Sequence, residues 1–276
     1  MKVAQLNDPA LERELQDTGY IRIPHFLSAA EVTALLDIYR RNHPAPEPDA
    51  GMWNSLYNQS EDGAMSMSEQ ILHILRPRLD ALFVSYYAPV GTFMSKNNNK
   101  YSECDLHRDF SIADEEQYQY RNLWMPLVDT TLQNGALFAL PGSHRVFDYM
   151  LPMFCEWPYR GMLTELIPLA QTIECQAGDL VIYLDKTLHG SHVNHSGHSR
   201  PVVHFGALHP DVEMRFHWLD RAAQRVRAYL VPFSFYLAND FSEPVGRYPM
   251  VKEYDYTPPQ LSIERVKELL AGSTAQ

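Results

Sequence analysis

Apolar positions along the chain follow two different spacings. In the first third they fall three and four apart, as on one face of a helix. Residues 8–18 predict a short helix, with Leu11 and Leu15 on one face, Pro9 at its first position and Gly19 just past its end. Residues 20–26, YIRIPHF, then read as a strand. Ser28 and Glu31 have the spacing of a capping box, which opens an amphipathic helix running to about Arg41. Pro44, Pro46 and Pro48 break the chain into a loop. Over residues 68–87, Ile71, Leu72, Ile74, Leu75, Leu79, Leu82 and Phe83 predict a second long helix, strained or interrupted at Pro77.

Beyond residue 87 the texture changes to short alternating or apolar runs separated by turn residues, among them VGTFMSK, DLHRDFSI, NLWMPLV, GALFAL, DLVIYL and RPVVHFGAL. Many short strands without intervening helices predict an all-β sandwich or barrel, not a parallel α/β fold. After residue 213 the pattern is mixed, with a helix expected over 218–230 and a last one over 262–270 behind a capping serine. The expected layout is mainly β with flanking helices, a single domain over 1–276: N-terminal helices and strand (1–87), a β core (88–208) and a C-terminal helical extension (209–276).

Composition changes this picture little. Hydrophobic residues at 45% can build a large core, and a net charge of -11 argues against nucleic-acid binding, which needs Lys and Arg against phosphates. Cys104, Cys155 and Cys175 form neither a disulfide framework nor a zinc pattern, so a reducing, cytoplasmic setting is expected. No apolar run reaches the ~18 residues of a membrane span, and the N-terminus lacks the apolar run of a signal peptide. Nothing assigns an oligomeric state.

The candidate chemistry lies in the β region. His107 and Asp109 stand two apart, a spacing that on a strand directs both side chains to one face and one metal ion. A second histidine would complete the two-histidine, one-carboxylate set that suits non-haem Fe(II) and leaves open coordination sites. In LHGSHVNHSGHSR the histidines at 189, 192, 195 and 198 are evenly spaced, yet the glycines and Asn194 favour turn over helix. His189 is the best candidate, since Gly190 after it leaves room for a cosubstrate. A hairpin turning between 194 and 195 would set His189 across from Arg200, pairing a metal ligand with a carboxylate-gripping guanidinium. Lys96 and Tyr101 precede the metal strand and could face the same pocket, while His144 reads as structural.

The segments LHRDF (106–110), NGALFALPGSHR (134–145), AGDLVIY (177–183) and HGSHVN followed by Arg200 resemble the phytanoyl-CoA dioxygenase family of Fe(II)/2-oxoglutarate-dependent oxygenases, including its ectoine hydroxylase branch. The resemblance spans roughly residues 88–208. It implies a double-stranded β-helix (jelly roll, cupin-like) core, with His107, Asp109 and His189 as iron ligands and Arg200 holding the distal carboxylate of 2-oxoglutarate. Ser191, Asn122 and Trp124 would line the cosubstrate pocket. It also implies an O2-dependent enzyme that converts 2-oxoglutarate to succinate while hydroxylating an unactivated C–H bond. Asp109 favours hydroxylation over halogenation, whereas desaturation and cyclisation use the same ligands. The expected substrate is a small polar metabolite, an amino acid or carboxylated intermediate, not an acyl-CoA; Arg108, Tyr118, Tyr120, Arg121 and Arg160 are the residues that could bind it. The alternatives are a cupin-like metalloenzyme without 2-oxoglutarate, a non-catalytic sensor on the same fold, or a zinc site made from the histidine run.

Overall fold

The computed structural model describes residues 1–43, 51–238 and 240–273; the proline-rich loop at 44–48 lies outside them. After β1 (Lys2–Val3), α1 (Pro9–Thr18) starts and stops where its sequence dictates. Asp8 accepts from the backbone N–H groups of Ala10 and Leu11, and Gly19, at φ 86°, closes the last turn by donating to Leu15 O. The chain continues through β2 (Tyr20–Ile23) into α2 (Ala29–Asn42), whose capping box is formed as expected: Ser28 Oγ accepts from Glu31 N while the Glu31 carboxylate accepts from Ser28 N. The same carboxylate takes a two-pronged grip from Arg78, both N–O distances 2.9 Å, which ties α2 to the third helix.

After β3 (Met52–Asn54), α3 (Glu61–Leu82) starts seven residues before the expected residue 68, because Ser60 caps it and Glu61 and Asp62 suit its N-terminus. It runs unbroken through Pro77. That proline and His73, whose carbonyl loses its donor, both lie on the exposed face, where water can replace the bond.

The β core comprises β4 (Thr92–Lys96), β5 (Cys104–His107), β6 (Tyr118–Gln119), β7 (Arg121–Pro126), β8 (Leu137–Ala139), β9 (Gln171–Ile173), β10 (Leu180–Leu184), β11 (His189–Ser191) and β12 (Arg200–Ala207), with short helices α4 (Ser143–Val146) and α5 (Leu163–Leu166) between β8 and β9. Six strands form an antiparallel major sheet in the order β2-β10-β7-β12-β4-β3, and four form an antiparallel minor sheet, β5-β11-β8-β9. Together they make a double-stranded β-helix. Alternation sorts the central strands: Leu123, Met125, Leu180, Ile182, Val203 and Phe205 pack outward against α1 to α3, while Trp124, Val181, Tyr183 and Val202 face the minor sheet's Leu137, Ala139 and Ile173.

The helix expected over 218–230 is instead a hairpin of β13 (Arg215–Asp220) and β14 (Arg225–Leu230), followed by α6 (Ser234–Leu237), β15 (Met250–Asp255) and α7 (Ile263–Ser273). Its RAAQ segment looks helical by propensity. Two effects override that: Asp220 accepts from Ala222 N and Ala223 N to make the turn, and β14 pairs on both edges, with β13 and β15. The last helix agrees with expectation, Ser262 Oγ accepting from Arg265 N. Among the described residues no helix is long and apolar enough to cross a membrane.

Ser28→Ala removes one cap bond and is expected to cost about 1 kcal/mol in urea unfolding. Arg78, with help from Ser28, holds the Glu31 carboxyl down at about 2, against an ordinary 4.5. A lowered folded-state pKa contributes stability that is complete above 4.5 and is lost as pH falls toward 2. Unfolding midpoints of Glu31→Gln across that window should therefore fall less steeply with acid than those of the unaltered protein.

Candidate metal centre

His107 ends β5 and His189 begins β11, and the two are register partners across the minor sheet, with ring centroids 4.4 Å apart. Asp109 lies beyond the end of β5, so the shared strand face expected for His107 and Asp109 does not bring them together. The following loop does so, with Asn122 of β7, whose Nδ2 donates to Asp109 Oδ2 at 2.7 Å. Asp109 Oδ1 is thereby left 3.9 Å from His107 Nε2 and 4.0 Å from His189 Nε2. One potential ligand atom from each residue lies within 4.8 Å of the other two. In both histidines a backbone carbonyl holds Nδ1, Asp105 O for His107 at 2.8 Å and Thr187 O for His189 at 2.9 Å, so the Nε2 atoms face the centre.

Electrostatics suits a divalent cation. Burial, reinforced by His107, pulls His189 down to about 4, so it is neutral at pH 7; at His107 burial is outweighed by Cys104 and Asp109, which raise it to about 9, so its Nε2 carries a proton that an arriving cation must displace. Burial works against the Asp109 carboxylate, but the histidines and the Asn122 amide outweigh it and hold the group below the usual range. Two imidazoles and one carboxylate at separations slightly wider than a shared ion would impose form a donor set that fits Fe(II).

The cluster opens into a cavity of about 110 Å³ between the two sheets. Arg200, Trp124, Ser191, Tyr183 and His204 line it. Arg200 is 3% exposed, and its Nε has no hydrogen-bond partner among the described residues. Its guanidinium lies 5.3 Å from the centroid of the Trp124 ring, and burial without an anion pulls it down to about 9. A buried cation of this kind is matched to a carboxylate. Lys96, the other cation of the cavity, is committed: its Nζ donates to the carbonyls of Ser102, Ser191 and His192, clamping the crossover to β12.

The expected hairpin between His189 and Arg200 is absent. His189 pairs with His107 and Ala139 in the minor sheet, whereas Arg200 pairs with Lys96 in the major sheet, so the segment between them crosses from one sheet to the other. Arg200 still reaches the cavity, because the sheets enclose it from both sides. The role expected for Gly190 also changes. A Cβ there would come within 2.5 Å of the Cys104 carbonyl and the Phe138 ring, so glycine is required by strand packing and not by a cosubstrate.

Ser191 and Trp124 line the cavity as expected, whereas Asn122 acts through Asp109. His192 bonds Thr172, His195 and His198 are exposed, and Tyr101 is 59% exposed. His144 Nε2 donates to Gln16 O, a structural link to α1. His204, bonded to Tyr183 at 3.0 Å, escaped the sequence reading. Its signal was present: it is a polar residue at an inward position of β12, in step with Arg200 and Val202.

A jelly roll with a His/Asp/His cluster beside a buried arginine is the layout of a cupin-fold non-haem metal oxygenase. The family model described as phytanoyl-CoA dioxygenase (PhyH) matches residues 15–202, and the chain belongs to that family. Among curated proteins it is 28% identical over 125 residues to a phytanoyl-CoA dioxygenase domain-containing protein 1 homolog of Dictyostelium discoideum, covering 41% of this chain and 44% of that one. It is 24% identical to a probable alpha-ketoglutarate-dependent hypophosphite dioxygenase of Stutzerimonas stutzeri, covering 67% and 73%. The chain thus spans less than half the length of the Dictyostelium relative and of an Arabidopsis thaliana phytanoyl-CoA dioxygenase. Similar solved folds include the carbocyclase SnoK of nogalamycin biosynthesis, at TM-score 0.53, 17% identity and coverage of 75% and 86%. Another is HygX of Streptomyces hygroscopicus, crystallised with nickel, 2-oxoglutarate and hygromycin B, at TM-score 0.51, 14% identity and coverage of 72% and 86%.

Asn122→Ala should weaken divalent-metal binding at the cluster by ~10–100-fold, the usual worth of a group that orients a ligand. Equilibrium titration with Co(II) would read this, and an unchanged affinity would remove Asn122 from the orienting role.

Proposed function

We propose that this protein is a 2-oxoglutarate-dependent non-haem iron dioxygenase that hydroxylates an unactivated C–H bond of a small metabolite. The observation that carries the reading is the convergence, on one cavity, of the His107, Asp109 and His189 donor set with the buried guanidinium of Arg200, whose Nε has no hydrogen-bond partner among the described residues. In this reading His107 Nε2, His189 Nε2 and an Asp109 carboxylate oxygen hold Fe(II), and the whole of residues 1–276 serves as one domain. Bound there, Fe(II) supplies the redox chemistry in which O2 and 2-oxoglutarate give succinate and CO2, one oxygen atom entering succinate and the other the substrate as hydroxyl.

The chain's own part is binding and orientation. Arg200 takes the distal carboxylate of 2-oxoglutarate with its planar fork of donors, and the Ser191 hydroxyl, on the same wall as His189, adds a hydrogen bond. Trp124 packs beside the Arg200 guanidinium and keeps that end of the cavity apolar, so the ion pair forms away from water. Asn122 and the carbonyls of Asp105 and Thr187 fix the three ligand side chains before any ion arrives, which limits reorganisation. A cupin-like enzyme without 2-oxoglutarate has no use for a buried, unpaired arginine at this place.

The polar substrate expected from the sequence loses most of its supporting residues. Arg108 is buried and bound to Phe147 O, Tyr149 O and Glu115; Arg121 pairs with Glu12; the Tyr118 and Tyr120 hydroxyls donate to Asp211 O and Phe110 O. Arg160 alone of that group is exposed.

With Fe(II) and 2-oxoglutarate, a substrate screen should show succinate release and a product heavier by one oxygen; no succinate and no 2-oxoglutarate binding under any condition would overturn the reading. Arg200→Ala should raise the dissociation constant of 2-oxoglutarate at least about thirtyfold, since removing one member of a buried charge pair costs about 2–5 kcal/mol. Arg200→Lys should recover only part of the loss, because an ammonium lacks the planar fork.

A further inference from the structure

We infer that the mouth of this site is an aromatic platform, formed by Trp157 beside His107 and by Phe154 with Phe110 beside Asp109, that selects substrates carrying an apolar ring. The inference rests on the oxygenase reading and adds the substrate class to it.

The three cluster side chains are unequally exposed: His189 is 6% exposed, His107 22% and Asp109 32%. Approach from solvent is therefore over His107 and Asp109. Trp157 stands beside the first, its ring centroid 5.9 Å from that of His107 with planes 24° apart. Tyr159 backs the indole at 6.0 Å, and its hydroxyl accepts from Arg108 N, so Trp157 is held to the backbone between the two candidate ligands. On the other side Phe110 directly follows Asp109 in the chain, and its ring lies 5.9 Å from that of Phe154.

Phe154 is the telling residue. Its backbone has φ 58°, a left-handed conformation that bulky side chains avoid, and the residue is 54% exposed to water. Folding alone gains little from straining a residue to present an apolar ring to solvent. The arrangement is nevertheless held: Arg221 donates to Phe154 O, and the Phe241 ring packs 5.5 Å away. Two cations near the platform are committed within the protein, Arg221 to Phe154 O and Arg108 to Phe147 O, Tyr149 O and Glu115. A ring-bearing, largely apolar substrate would cover Phe154 and Trp157 and exclude water from the metal face.

The test uses protein loaded with Zn(II) and 2-oxoglutarate, and saturation-transfer NMR with neutral probes: cyclohexanol and benzyl alcohol against glycerol. The two ring compounds should take up saturation and glycerol should not. Phe154→Ala should weaken ring binding roughly three- to tenfold, the worth of one aromatic contact, and Trp157→Phe should weaken it less. In the Phe154 variant, affinity for 2-oxoglutarate and the melting temperature should be unchanged or, through relief of strain, slightly raised. Equal saturation of glycerol and the ring probes, or undiminished ring binding in a folded Phe154→Ala protein that still binds 2-oxoglutarate, would overturn the proposal. Failure of the oxygenase reading shows separately, as absence of 2-oxoglutarate binding and of succinate, because the NMR measurement requires no turnover.

Discussion

Period-two alternation in the central strands β7, β10 and β12 is the constraint on which the rest of the molecule depends. Each strand must bury one face against α1 to α3 and offer the other to the space between the sheets. The outer face is apolar in Leu123, Met125, Leu180, Ile182, Val203 and Phe205, with Arg121 of β7 paired to Glu12 of α1 at its end, and this seals the sheet to the helices. With that seal in place, the inner face can carry Asn122, Tyr183, Arg200 and His204 in a water-poor interior. There an unpaired polar group costs about 1–3 kcal/mol, and each must find a partner or a ligand.

Most of these groups have a partner, and the exception is informative. Asn122 holds Asp109, Tyr183 holds His204, and Lys96 gathers three carbonyls. Arg200 lies among them with an orphaned Nε and only an aromatic face for company. Among the described residues around the cavity, that Nε is the buried donor left without a hydrogen-bond partner, which is what the proposed reading assigns to an anionic cosubstrate. The residue between the two candidate ligands of the first motif does different work. Arg108 points away from the cavity and draws the segments around Phe147, Tyr149 and Glu115 onto the metal loop, so the motif is also the anchor of the mouth.

Legibility in the sequence followed the range of the interaction. The helices at 9–18 and 29–42 could be read because their caps are local: Asp8, Gly19, Ser28 and Glu31 act within one turn of themselves. The 218–230 segment was misread because its strand state comes from β15, some twenty-five residues on, and helix propensity says nothing about such a partner. Of the site, His107, Asp109, His189 and Arg200 were identified by motif. His204 and the Asn122 contact with Asp109 were not, since both contacts join separate segments of the chain.

The sequence by itself determined which side chains could do chemistry, and it determined the strand alternation that sends them inward, because both properties are carried by neighbouring residues. Only the tertiary structure decided how they meet. His189 and Arg200, eleven residues apart, share a cavity by standing on opposite sheets and not by facing one another across a turn. Asp109 reaches the histidines because an amide from the other sheet holds it there. Both arrangements depend on the distance between two packed sheets, a quantity that no local pattern along the chain encodes.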